Sequence, residues 1–83
     1  MTTLKKSGAK EEFLEYKLSN SIDAANRGTN ESLNLKTLMA DFYQIAKDKE
    51  KISTREIMII VYGLLYEKGL IKTLESYSTY EKN

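Results

Sequence analysis

Apolar and polar residues alternate over Ser32-Leu33-Asn34-Leu35-Lys36, and a period of two predicts a strand buried on one face. After it, Leu38, Phe42, Ile45 and Ala46 recur about one turn apart, so a helix is expected from Lys36 or Thr37 to Asp48, with Thr37 as a candidate cap. Ile52-Ser53-Thr54-Arg55-Glu56 then reads as a helix start. Ser53 can cap, Glu56 three positions on completes a capping box, and Ile52 can staple onto Ile57. The run Ile57 to Leu65 carries no charge, and Glu67-Lys68-Gly69 closes it. A helix apolar on nearly all sides has to be buried on nearly all sides, which one short neighbour cannot achieve. A lone short strand needs a partner as well. A second copy of the chain meets both demands, so the pattern predicts an obligate dimer. A rival reading makes Ile57, Ile59, Ile60, Val61 and Tyr62 a buried strand; the cap before the run and the glycine after it favour the helix.

The flanking regions are less strongly patterned. Residues 1 to 8 read as a mobile tail. From Ala9 to about Asn26 the pattern is helical and weakly amphipathic, with Phe13, Leu14, Tyr16, Leu18, Ile22 and Ala25 on the apolar side and Glu11 and Glu12 in the first turn. Gly28 is a candidate C-cap. In the tail from Leu70 to Asn83, Ile71, Leu74, Tyr77 and Tyr80 fall every third residue and suggest a short helical turn docking on the core. The chain therefore divides at about residue 30, into a tail with an extension helix (1–30) and a core domain (31–83), with no internal repeat.

Composition narrows the chemistry. At 83 residues the chain is one small core, and 41% hydrophobic against 30% charged residues make it globular rather than disordered. It has no cysteine and no histidine, which removes disulfides, thiolate metal sites, the commonest general base and the commonest nucleophile pairs. An enzyme, a metal site and a bound cofactor are therefore not expected. Neither a signal peptide nor a membrane span is visible, so a cytoplasmic protein is expected. The formal net charge of +1 is far from a strongly basic balance, but Lys47, Lys49 and Lys51 cluster between the two central helices, diluted by Asp48 and Glu50. Six tyrosines supply amphipathic contact surface, most of it at the rim of a core.

The order of parts over Ser32 to Ile71 resembles the ribbon-helix-helix family of dimeric DNA-binding repressors. Leu33-Asn34-Leu35-Lys36 looks like the ribbon, Leu38, Phe42, Ile45 and Ala46 like the face of the first core helix, and Ser53-Thr54-Arg55-Glu56-Ile57 like the start of the second. The resemblance implies a mainly α fold in which a short strand pairs across a homodimer, with an extra N-terminal helix. It implies double-stranded DNA as partner, with Ser32, Asn34 and Lys36 facing bases in the major groove. Ser53, Thr54, Arg55 and Lys51 would then hold phosphates at a helix N-terminus. Leu33, Leu35, Phe42, Ile57, Val61 and Leu65 would form the dimer core. The implied function is a transcriptional repressor or a plasmid or phage nucleoprotein accessory factor.

Two further classes compete. A small helical interaction module, an adaptor or inhibitor, fits the near-neutral charge. A winged-helix DNA binder would use Tyr66 to Ile71 and Tyr77 to Asn83 as a wing, but only one uninterrupted segment runs from Ser53 to Gly69. For each predicted contact there is also an ordinary structural role: Asn34 as a turn residue, Ser53 as a plain cap, the lysine cluster as a solvated turn.

Overall fold

Among the described residues, three short strands and four helices make up the fold. The structure, a computed structural model, describes residues 1–4, 8 and 10–82, the last three by backbone alone. In chain order the elements are β1 (Thr2–Leu4), β2 (Lys10–Glu12), α1 (Glu15–Asn26), α2 (Leu35–Ala46), β3 (Lys51–Ser53), α3 (Thr54–Glu67) and α4 (Ile71–Lys82).

The sheet has the order β2-β1-β3. β1 and β2 run antiparallel with Thr3 opposite Glu11, whereas β1 and β3 run parallel with Thr3 opposite Ile52. Two backbone bonds extend the pairing at one end of β1: Phe13 donates to the Met1 carbonyl at 2.8 Å and Thr2 to the Glu50 carbonyl at 2.9 Å. The central strand is thus formed by Thr2–Leu4. Residues 2–4 are strand, not tail; of that expected tail, residues 5–7 lie outside the described residues. The helix expected from Ala9 starts only at Glu15, because Lys10–Glu12 pair with β1; Ala9 is likewise outside the described residues.

The ribbon does not form. Ser32 to Lys36 make no strand; Asn34 is the N-cap of α2, its Oδ1 accepting the Thr37 N–H at 3.1 Å, and Leu35 is the first helical residue. The cap is therefore Asn34 rather than Thr37. The alternation arises because Leu33 and Leu35 rest half-buried against the core while Ser32, Asn34 and Lys36 point to solvent. Five residues of loop and first helical turn imitate a period of two.

Nor does burial of α3 call on a second chain. Val61 and Leu65 are at most 1% exposed, with Ile57 and Leu64 close behind, and α2 and α4 cover them from within the chain. Ile59, in the same uncharged run, faces outward. α1 adds Leu18, Ile22 and Ala25 to the same core and packs on α4 and α2. Phe13, just past β2, stacks on Phe42 at 5.7 Å with the rings 13° from parallel, and Tyr43 meets both edge-on. The mainly α, obligately dimeric ribbon-helix-helix is replaced by a single-chain α/β fold with a mixed sheet.

The capping signals of α3 are borne out. Ser53 Oγ accepts the Glu56 N–H at 3.0 Å, and Glu56 Oε1 accepts the Ser53 N–H at 3.1 Å, the reciprocal capping box. Gly69, with φ of 75°, turns the chain after α3 in a conformation that favours glycine. The C-terminal segment is more than the short turn expected: it is a three-turn helix from Ile71, and Tyr77 on it is among the most deeply buried side chains of the protein.

Candidate functional site

The sheet and three helices converge on one cleft of about 360 Å³. Thr3 of β1 and Glu11 and Glu12 of β2 form one wall, followed by Phe13 and Leu14 in the link to α1. α1 contributes Lys17, Leu18 and Ser21, α3 contributes Thr54, Ile57 and Met58, and α4 contributes Tyr77. Grooves between α1 and α2, and between α2 and α3, are walled almost wholly by two helices. The cleft at the sheet combines strand and helix walls.

Each wall is placed by a local cause. The Thr54 hydroxyl donates to the Leu4 carbonyl at 3.2 Å, tying the first residue of α3 to the central strand. Pairing of Thr3 with Glu11 sets the depth of the β2 carboxylates along the cleft. The N-cap of α1 is Leu14, whose side chain cannot cap it, so the first-turn amides of α1 carry no side-chain partner from their N-cap. Lys17, in the first turn of α1, is also in the lining, so a cation accompanies the positive end of the helix dipole. Leu18, Ile57 and Met58 give an apolar lining, with Ser21 and Thr54 among the polar residues beside them. Chemically, the lining combines apolar side chains with one lysine, two glutamates and the hydroxyl-bearing Thr3, Ser21, Thr54 and Tyr77.

Of the residues expected to contact DNA, only Thr54 lines this cleft. Ser32, Asn34 and Lys36 lie exposed at the start of α2. Lys51 and Arg55 lie exposed at the junction of β3 and α3, and Ser53 is engaged in its capping box. Glu56 also accepts a bond from Lys49 Nζ at 2.9 Å, and this pair together with the Ser53 N–H holds its carboxyl below the usual range. The lysine cluster is thus partly consumed in structural pairing. Of the six expected dimer-core residues, Phe42, Ile57, Val61 and Leu65 are buried within one chain and Leu33 and Leu35 border that core; Ile57 also lines the cleft.

Nothing in the sequence pattern singles out Thr3, Glu11, Glu12, Lys17, Ser21, Met58 and Tyr77 as site residues. One signal was available: Ser7-Gly8 is a turn pair set between short segments, with Thr2, Thr3 and Leu4 favouring a strand on one side, which is how a hairpin reads. Among the described residues no group of three or more acidic side chains gathers to hold a metal, and no helix is long and apolar enough to cross a membrane.

A search of curated proteins gave no match. The family model of the ATP cone domain, in contrast, matches residues 1–83, every residue of the chain. ATP-cone domains are nucleotide-binding allosteric regulatory domains, so this match overturns the ribbon-helix-helix resemblance and, with it, the reading as a DNA-binding repressor. The three-stranded mixed sheet with its four helices is consistent with the match and excludes the ribbon. By full-length match and by fold, the chain belongs to the ATP-cone family.

Proposed function

We propose that this chain binds a nucleotide in the cleft between the sheet and α1, α3 and α4, and that occupancy of the cleft acts as an allosteric signal. The observation that carries the reading is the match to the ATP cone domain over residues 1–83. The chemistry of the cleft supports it. Its volume of about 360 Å³ is at the small end of ordinary ligand pockets. The apolar lining of Leu18, Ile57 and Met58 suits the faces of a base, and the Glu11 and Glu12 carboxylates can accept from sugar hydroxyls or an exocyclic amine. Lys17 provides positive charge, and the start of α1, which has no side-chain cap, provides the positive end of a helix dipole for a phosphate.

Calorimetric titration with ATP tests this directly. Saturable binding of one or more nucleotides is expected, and Lys17→Ala should weaken it by about tenfold or more, the loss of a charge-assisted bond to phosphate. Absence of any binding by the folded protein would overturn the reading. Unchanged affinity in Lys17→Ala would move the nucleotide out of this cleft.

A further inference from the structure

Glu31 belongs to the connection between α1 and α2, yet its carboxylate is engaged with α4. One oxygen accepts the Thr73 N–H at 2.7 Å and the Thr73 hydroxyl at 2.8 Å; the other accepts the Lys72 N–H at 3.1 Å. Lys72 and Thr73 are the second and third residues of α4. A carboxylate some forty positions away in sequence therefore satisfies amides that a helix leaves open at its start, at the positive end of its dipole. Asn26, in the last turn of α1, closes the network: its Nδ2 donates to the Thr73 hydroxyl and to the Glu31 carbonyl, both at 3.0 Å. Thr73 is completely buried. Desolvation alone would raise the Glu31 carboxyl, but the bonds from Thr73 and Lys72 outweigh it and hold the group below its ordinary value.

Thr73 and Tyr77 are four residues apart and share one face of α4. Thr73 is the anchored end of that face, and Tyr77 is the end that lines the cleft, set edge-on against Tyr62 of α3 with the ring centroids 5.7 Å apart. Where α4 begins decides where Tyr77 stands. We propose that Glu31 is a positioning residue for nucleotide binding: by anchoring the start of α4 it holds Tyr77 as a wall of the cleft and joins cleft occupancy to the α1–α2 connection. This rests on the nucleotide-binding reading above. Because coupling between two equilibria is reciprocal, nucleotide in the cleft must in turn tighten the anchor.

The experiment compares the wild-type chain with Glu31→Gln and Glu31→Ala. It measures amide hydrogen exchange without nucleotide, then ATP titration at a temperature where all three are fully folded. In Glu31→Ala the α4 amides from Lys72 to Tyr77 should exchange about tenfold faster while those of α2 keep their rate. ATP affinity should fall about tenfold, a loss that lower global stability would not cause in a fully folded population. Glu31→Gln, which keeps one acceptor oxygen, should fall between, and saturating ATP should restore protection of α4 in both variants. Unchanged exchange in α4 would overturn the anchor. Loosened α4 with unaltered ATP affinity would overturn the positioning role. A wild-type chain that binds no ATP, with α4 still loosened by the substitutions, would overturn the nucleotide reading and this role with it, leaving only a structural anchor.

Discussion

At the scale of single residues, two glutamates do comparable work and differ in how far they reach. Glu56 folds back three positions to its own cap, whereas Glu31 crosses to α4. The first was legible because a capping box is written in consecutive residues. The second was not, because nothing near Glu31 in sequence announces Lys72 and Thr73 as its partners. Ser53→Ala removes the oxygen that accepts the Glu56 N–H and should cost about 1 kcal/mol, read from urea unfolding. Both glutamates also set an acid limit. Their folded-state carboxyls lie below the ordinary value of 4.5, so as the pH falls the unfolded chain takes up protons first. Their contribution is complete above that value and is lost as the pH drops through the lowered folded values. The thermal midpoint should therefore decline below about pH 4.5, and Glu31→Gln should decline less steeply than wild type. Equal slopes in the two proteins would mean that Glu31 is not stabilised as a carboxylate.

At the scale of elements, legibility followed length and sequence separation. α3 was read nearly to its ends, since its cap, its uncharged run and Gly69 are all contiguous. The strands were missed because three residues hold too little alternation to register, and because β1 finds its parallel partner β3 about fifty positions later. The segment that did alternate, Ser32 to Lys36, is a loop running into a capped helix. The turn between α3 and α4 gives the element-scale prediction. Gly69 adopts a φ of 75°, and a Cβ there would meet no atom within 4 Å, so the backbone alone decides the cost of a substitution. Gly69→Ala should destabilise by about 1–2 kcal/mol, the penalty of a left-handed conformation for an L-residue. A neutral result would show that this turn can relax without disturbing α4.

At the scale of the molecule, the cleft was illegible because no contiguous stretch contains it. Its residues come from β1, β2, α1, α3 and α4, and only the closed fold brings Thr3, Lys17, Thr54 and Tyr77 to one place. The same closure answers the question that the uncharged run Ile57 to Leu65 poses. Its inward residues meet α2 and α4 of their own chain, and the short strands pair among themselves, so neither feature calls for a second copy. A core completed by a partner would make stability rise with protein concentration by mass action. A core completed within one chain makes the unfolding midpoint constant over roughly a hundredfold range of concentration, and that constancy is expected here. Phe42→Ala, which empties the stacked site of a side chain only 1% exposed, should then cost about 3–5 kcal/mol, the same at every concentration. A midpoint that climbs with concentration, or a Phe42→Ala defect that concentrated protein repairs, would return part of the core to an interface. With neither, the burial that the uncharged run demands is supplied within the chain by α2 and by α4, and α4 also walls the cleft.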